Sequence, residues 1–183
     1  AHILGVPGIQ TRTGAKFWMH RDDLEIARST HDSAKRFGFE AEPIPDPDVY
    51  VEDGMTVAVD GLSLQTLHTP GHTRGSVCYY TAQLLFRGDT LFHGSIGRTD
   101  LPGGDYKQEM ASIGEKLLVL PDETIVLPGH MQQTTIEAER QHNPFVIQEL
   151  QDRGMLEVKD GKVIRTPDAC PAPKPRTRNT HVH

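Results

Sequence analysis

The sequence predicts an α/β fold of the α+β kind, organised mainly as one domain. Short apolar segments with the alternation of β-strands recur along the chain, and longer segments have the period of amphipathic helices. Three of the strand patterns run directly into a Gly turn that is followed by a side chain able to bind a metal ion. With 183 residues, the chain is long enough to bury a hydrophobic core.

The first part of the chain begins with one strand and one helix. Residues 16–20 (KFWMH) predict a short strand. A helix over 24–37 is expected to be capped by Asp22 or Asp23 and to stop at Gly38. This pair of elements is one α/β step.

A series of strands follows. Residues 41–50 carry three closely spaced prolines and predict an extended connection. The next segment alternates apolar and polar residues around Asp60-Gly61, which predicts a hairpin that ends at His68. Residues 75–81 and 83–87 predict two further strands, the second leading to Asp89.

The second half alternates helical and strand patterns again. A helix over 105–118 is expected to begin at Asp105, and 123–127 predicts a buried strand that runs into Gly129-His130. The apolar face of that helix consists of Met110, Ile113, Leu117 and Leu118.

The last part of the sequence predicts a helical segment followed by a hairpin. Residues 134–152 are helical in pattern with a break near Asn143-Pro144, and 156–164 predict a small hairpin. We therefore expect the domain to cover 1–165 and the Pro-rich residues 166–183 to form a tail without regular structure.

Three side chains at the strand ends form a candidate metal set. His72 lies in TPGHT, Asp89 in GDT and His130 in LPGH, so that two imidazoles and a carboxylate each follow a predicted strand. This donor combination suits Zn²⁺, and also Fe or Mn. The sequence therefore predicts a metal site built from strand-end loops.

Composition excludes several classes of partner. The net charge of -6 and the pI of about 5.9 leave no basic stripe for nucleic acid or an anionic membrane. Two cysteines, Cys78 and Cys170, provide no disulfide framework and are typical of a reducing cytoplasm, and Cys78 is expected in the core. No 18-residue apolar run or signal peptide pattern is present, so we expect a cytoplasmic protein.

Four ordered motifs carry a resemblance to a known family. They are TPGHTRGSV at 69–77, LFRGDTLF at 85–92, GSIGRTDLPGGD at 94–105, and LPGH at 127–130, which is followed by Asn143-Pro144-Phe145. Residues 2–146 strongly resemble the metallo-β-lactamase superfamily, and within it the short, single-domain glyoxalase II-like hydrolases. The resemblance implies an αββα sandwich with a dinuclear site, usually of two Zn²⁺ ions, at one sheet edge. A bridging hydroxide would attack a thioester or other acyl carbon there.

The resemblance also assigns the ligands. Asp89 would bridge both metals and is the expected catalytic residue, His72 would bind the first metal and His130 the second. The first motif of the family, HxHxDH, is not intact in this chain. His2 falls in register with its final His, as a ligand of the second metal, and Ala1 takes the place of its Asp. The fold is thus expected to be N-terminally incomplete, with one metal or none unless ligands are supplied.

The chain ends offer a source for the missing ligands. The sequence finishes in NTHVH, and His181 and His183 have the spacing with which the missing motif begins. They can reach a metal in the same chain or from a neighbouring chain, or belong to a tail without that role. A truncated product, a rearranged domain, and a homo-oligomer or complementing chain all remain open.

Three residues are candidates for substrate binding. Arg98 resembles the basic position that contacts the glutathione carboxylate in relatives, with a structural ion pair to Asp100 as the alternative. Tyr80 and Lys107 are further candidates, the tyrosine with strand packing as its alternative role.

The resulting hypothesis is a metal-dependent hydrolase that acts on S-acylglutathione or a related small-molecule thioester. Two other functions stay open. One is a mononuclear iron persulfide dioxygenase of the same fold, and the other is a catalytically incomplete fragment or subunit.

Overall fold

The structure, a computed structural model, describes residues 2–154, 156–159 and 162–165, and only the backbone of residue 2 and of those after 156. The helices are α1 (Val6–Thr13), α2 (Leu24–Arg36), α3 (Tyr106–Ser112), α4 (Ile136–His142) and α5 (Pro144–Asp152). The strands are β1 (Trp18–His20), β2 (Val49–Val51), β3 (Thr56–Val59), β4 (Leu62–His68), β5 (Val77–Thr81), β6 (Leu84–Phe86), β7 (Leu91–Phe92), β8 (Ser95–Ile96), β9 (Ile125–Leu127), β10 (Thr134–Thr135), β11 (Leu156–Lys159) and β12 (Lys162–Arg165).

A six-stranded sheet in the order β10-β9-β6-β5-β4-β3 forms the centre. Strand β5 is antiparallel to both β4 and β6, and β6 is parallel to β9. It follows that β4, β6 and β9 run in the same direction, so their C-terminal ends meet at one edge of the sheet. This is the convergence of strand ends that the sequence predicted.

The other elements complete a layered αββα arrangement. Strands β1 and β2 form a separate parallel pair, and β1 lines a cavity together with residues of β5. One apolar cluster joins the six-stranded sheet to α3 and α5, and a smaller one around Phe17, Ala27 and Ile44 lies at α1, α2 and β1. The predicted fold class is therefore confirmed, with a much smaller second sheet than the first.

The predicted apolar face of the 105–118 helix is confirmed. All four of its residues are buried: Met110, Ile113, Leu117 and Leu118. Asp105 begins α3 as expected, because its side chain accepts a hydrogen bond from the Gln108 N–H. The helix does not stay regular, however, and residues Ile113–Leu117 form a π-helical turn.

One sequence expectation needs correction, and two elements were not predicted. Asp23 precedes α2 at the capping position, but its side chain makes no capping hydrogen bond there. Helix α1 was not predicted, because its sequence contains Pro7 and Gly8 and none of its residues is buried. The β7–β8 hairpin was also missed, since two-residue strands are too short to show alternation.

Other local predictions are confirmed. The hairpin turn has Asp60 and Gly61 both at positive φ, 44° and 84°, as a tight two-residue turn requires. The break near Asn143 separates α4 from α5. The hairpin at β11–β12 is present, whereas the predicted tail 166–183 lies outside the described residues.

Asn143 links the β7–β8 hairpin to the C-terminal helices. Its Oδ1 accepts from the backbone N–H groups of Phe145 and Val146 and so caps α5. Its Nδ2 donates to the Ser95 carbonyl oxygen at 2.9 Å and to Glu139 Oε2 at 2.7 Å. Because the side chains of Asn143 and Glu139 are buried, this network fixes the segment that directly follows Asp89.

In the part of the chain that the structure describes, no helix combines the length and apolar character needed to cross a membrane.

We expect Asn143→Ala to lower the free energy of unfolding by about 2–4 kcal/mol, because it leaves the buried Glu139 carboxylate without one donor and removes the α5 cap. Urea unfolding followed by circular dichroism measures the change. Gln141→Ala is the matched control, since Gln141 is exposed and bonds only along its own helix to Glu137. Equal stability of the two variants would contradict the role given to Asn143.

Candidate metal centre

Three of the predicted ligands come together at the C-terminal edge of β4, β6 and β9. His72 follows β4, Asp89 follows β6 and His130 follows β9. His72 Nε2 lies 3.7 Å from Asp89 Oδ2, and His130 Nδ1 lies 3.1 Å from Asp89 Oδ1. Each carboxylate oxygen of Asp89 thus faces one imidazole, and the 3.1 Å contact between His130 Nδ1 and Asp89 is a hydrogen bond that a bound cation would have to replace.

A hydrogen bond fixes the orientation of the His72 ring. His72 Nδ1 lies 2.7 Å from the carbonyl oxygen of Arg98. Because a carbonyl oxygen only accepts, Nδ1 is the protonated nitrogen and the lone pair is on Nε2, the nitrogen that faces Asp89. Metal-binding histidines typically have such a partner on their other nitrogen. These donor types suit a divalent cation such as Zn²⁺ or Fe²⁺, with each histidine beside a different oxygen of Asp89, although the three residues do not offer ligand atoms that all lie within 4.8 Å of one another.

Glu109, in α3, holds the backbone of the His72 loop through a hydrogen bond. Its Oε2 accepts a 2.8 Å hydrogen bond from the His72 backbone N–H, and its side chain is fully buried. A Cβ atom at Gly71, whose φ is +150°, would lie 2.3 Å from Glu109 atoms, so this position of the TPGH motif requires glycine. Burial raises the pKa of Glu109 to about 8. The carboxyl group is therefore largely protonated at neutral pH.

Asp23 holds the other side of the same loop. Its Oδ2 accepts from the Thr73 hydroxyl at 2.6 Å, and its Oδ1 accepts from the Gly75 N–H at 2.7 Å. These bonds direct the Asp23 carboxylate to the 73–75 segment, while it makes no capping hydrogen bond to α2. The turn that begins α2 thereby fixes the segment after His72.

The loop after Asp89 depends on a second close backbone approach. The Gly97 N–H donates to the Thr90 carbonyl oxygen at 3.0 Å. A Cβ atom at Gly97 would lie 2.0 Å from the Asp89 carbonyl oxygen. Glycine at this position of the GSIGRTD motif therefore allows the Asp89 loop and the Arg98 segment to pack together.

A cavity of about 340 Å³ lies beside Asp89, between β1 and β5. Its lining includes Trp18, His20, His72, Tyr79, Asp89 and Thr90. This volume is in the range of small-molecule sites.

The three candidates for substrate binding lie outside the lining of this cavity. Tyr80 packs against the main apolar cluster, while its neighbour Tyr79 lines the cavity, because successive strand residues point to opposite faces. Arg98 makes two hydrogen bonds of 2.8 and 2.7 Å to the carboxylate of Asp100. Lys107 is an exposed residue of α3. Their roles toward a substrate stay predictions.

The other predicted ligands cannot be placed. His2 lies in a helical turn, His2–Gly5, but its side chain is outside the described part of the chain. His181 and His183 are also outside the described residues. The assembled set consequently comprises His72, Asp89 and His130.

Two supporting residues were missed from the sequence. Glu109 had a signal, because it lies four residues before Ile113 on the apolar face of the predicted helix, where a carboxylate is unusual. Asp23 was singled out only as a helix cap. Nothing in the sequence connects it with Thr73, fifty residues away.

Comparisons with known proteins find relatives of this chain and solved structures of similar fold. A family model described as the metallo-beta-lactamase superfamily matches residues 2–130. Hydroxyacylglutathione hydrolase GloC of Haemophilus influenzae is 35% identical, over 79% of this chain and 70% of the relative. An uncharacterized protein of Mycobacterium tuberculosis is 52% identical over 51% of this chain, and the match spans only 45% of that relative's length. The crystal structure of TTHA1623 in a di-iron-bound form is 38% identical with a TM-score of 0.72, over 79% of this chain and 71% of that one.

We expect Glu109→Gln to make stability less dependent on pH. Burial raises the pKa of Glu109 to about 8 in the folded protein. The stabilisation that the neutral carboxyl group contributes is therefore complete below the pKa that Glu109 has in the unfolded chain, and it is lost as pH rises through the pKa of the folded protein. Relative to the variant, wild-type stability should fall by roughly 3 kcal/mol between about pH 5 and pH 8. Urea unfolding of metal-free protein tests this, and parallel pH profiles of the two proteins would contradict it.

Proposed function

We propose, from the premise that the chain belongs to the metallo-β-lactamase superfamily, that it is a metal-dependent hydrolase of the glyoxalase II-like type. Its substrate class is S-acylglutathione or a related thioester. The observation that carries this proposal is the Asp89 carboxylate with His72 and His130 on its two oxygens. The similarity to a hydroxyacylglutathione hydrolase supports the choice of thioester.

The residues of the candidate centre have two kinds of role, to hold a metal and to orient the residues that hold it. His72, Asp89 and His130 would hold one or two divalent cations. Such ions, when bound, lower the pKa of water and polarise a carbonyl group. The Arg98 carbonyl oxygen keeps Nε2 of His72 unprotonated and therefore available as a ligand. Glu109 and Asp23 keep the 71–75 loop in place, so that the ligand geometry does not have to form on substrate binding.

The cavity beside Asp89 would receive the acyl group. Its walls combine the apolar rings of Trp18 and Tyr79 with polar groups close to Asp89. An acyl chain gains free energy by leaving water for this cavity, and its carbonyl carbon would then lie at the mouth where the ligands converge. The thiol leaving group would extend outwards from that mouth.

Metal analysis together with thioester hydrolysis tests the proposal. Purified protein should contain Zn²⁺, Fe or Mn and should release thiol from an S-acylglutathione. Asp89→Ala should lower kcat/KM by about 100-fold or more. Mutation of residues that only hydrogen-bond to metal ligands already lowers activity or metal affinity about 10–100-fold, and Asp89 would itself be a ligand. Asp46→Ala is the control, since Asp46 forms an exposed ion pair with Arg28 on α2. If wild type and Asp89→Ala release thiol at the same rate, the hydrolase proposal fails.

Metal content, thiol release and oxygen consumption together separate the other two functions. About one iron per chain and oxygen consumption with glutathione persulfide, without thiol release from a thioester, would indicate the persulfide dioxygenase. A chain without metal and without turnover would indicate an incomplete subunit.

We also propose that Arg98 binds a carboxylate of the glutathione moiety. Its guanidinium already binds the carboxylate of Asp100 in a bidentate contact, and both side chains are exposed. Because this pair is exposed to solvent, a substrate carboxylate can reach the guanidinium and compete with Asp100 for the same donors. Arg98 therefore has the geometry for carboxylate recognition, but in this structure Asp100 occupies the two guanidinium donors that a substrate carboxylate would use.

We expect Arg98→Ala to raise KM for S-acylglutathione about 10-fold with little change in kcat, because the lost contact is remote from the reacting carbon. Asp100→Ala should leave KM unchanged or lower it, since it frees the guanidinium. Steady-state kinetics on both variants provide the test. An unchanged KM in Arg98→Ala would assign this residue to the ion pair alone.

A further inference from the structure

A second group of possible metal ligands lies apart from the His72, Asp89 and His130 set. His20 is the last residue of β1, Asp22 lies in the turn before α2, and His68 is the last residue of β4. The two imidazole rings stack with their centroids 4.0 Å apart and an interplanar angle of 10°. Tertiary structure thus brings together residues from the small sheet and the central sheet.

Hydrogen bonds determine which ring nitrogens carry lone pairs. His68 Nε2 lies 2.9 Å from the Arg74 carbonyl oxygen and must donate to it, so that the lone pair is on Nδ1. His20 Nδ1 accepts from the Asp22 backbone N–H at 3.2 Å and is therefore also unprotonated. Burial, and then the neighbouring His68, lower the pKa of His20. His68 Nδ1 therefore has no part in the hydrogen bond to Arg74, whereas His20 Nδ1 becomes available to a cation when its ring turns away from the Asp22 N–H.

The distances suit a small cation after limited adjustment. One donor atom from each of the three residues lies within 4.8 Å of the others, and His20 Nδ1 is 3.7 Å from Asp22 Oδ2. Donor atoms of a tetrahedral zinc site are about 3.3 Å apart, given metal–ligand distances near 2.0–2.2 Å. Side-chain rotation can close this difference, and it would also turn the stacked rings so that their lone pairs meet at one point.

The surroundings favour a cation and leave one side open. The carboxylates of Asp23 and Glu52 act electrostatically on His20, whereas Asp53, which accepts from the His68 backbone N–H, is paired with Lys116. A cavity of about 410 Å³, whose lining includes Asp22 and His68, borders the group. It provides a path of entry and room for water as a fourth ligand.

We propose that His20, Asp22 and His68 form an additional site for a divalent cation of the zinc type, independent of the Asp89 centre. Two neutral imidazoles and a carboxylate are a donor set that zinc accepts with one position left open. An ion there would connect the end of β1 with the end of β4, four residues before His72. The site would therefore stabilise the contact between the two sheets beside the candidate metal centre, whether or not the chain is a hydrolase.

Zinc titration of the full chain tests this site in a background that lacks the other candidate ligands. The background carries alanine at His2, His72, Asp89, His130, His181 and His183. We expect it to bind about one Zn²⁺ in isothermal titration, and this binding to be lost when His20→Gln or His68→Gln is added. Asp22→Asn should weaken the affinity about 10-fold or more. Co²⁺ bound in place of Zn²⁺ should show no thiolate charge-transfer band.

His31→Gln in the same background is the matched control. His31 Nδ1 also lies near an aspartate, 3.4 Å from Asp32 Oδ1, but His31 belongs to no three-residue group of possible ligands among the described residues. Its zinc binding should equal that of the background. Circular dichroism and urea midpoints measured without metal show whether each variant is folded. A folded background that binds no Zn²⁺, or folded His20→Gln and His68→Gln variants that bind it as the background does, would overturn the proposal.

Discussion

The shared direction of β4, β6 and β9 is the constraint on which the rest of the structure depends. Each strand carries one ligand candidate a few residues beyond its end, and only strands that run in the same direction bring those ends to one edge. The intervening β5 makes this possible for β4 and β6, since two antiparallel steps restore the direction. The pairing of β6 with β9 adds His130 beside Asp89.

Buried and partly buried polar groups convert this edge into a site with fixed geometry. Loops at a sheet edge are mobile unless their backbone groups are bonded, and here side chains from distant elements make those bonds. Glu109 and Asp23 hold the segment around His72, and the Glu139–Asn143 pair holds the hairpin after Asp89. The positions where glycine is required, Gly71 and Gly97, are where this packing leaves no room for a side chain. The motifs therefore combine ligands with the packing that orients them.

The sequence predicted most elements, and its errors have identifiable causes. The hairpin around Asp60-Gly61 and the apolar face of α3 were predictable because local periodicity and turn chemistry dictate them. Helix α1 was missed because it buries none of its residues, so no apolar stripe marks it. Asp23 was expected to cap a helix, and the local pattern allows that role. Its contact with Thr73 was not predictable, because it depends on how two distant segments pack.

The sequence by itself determined the kind of fold, the three ligand candidates and the resemblance to a family, because strand periodicity, Gly turns and motif order are local properties of the chain. Only the tertiary structure decided which partners those residues have. It placed Nε2 rather than Nδ1 of His72 toward Asp89, paired Arg98 with Asp100, and stacked His20 on His68. Each of these contacts joins side chains whose relative position depends on packing, which no local pattern encodes.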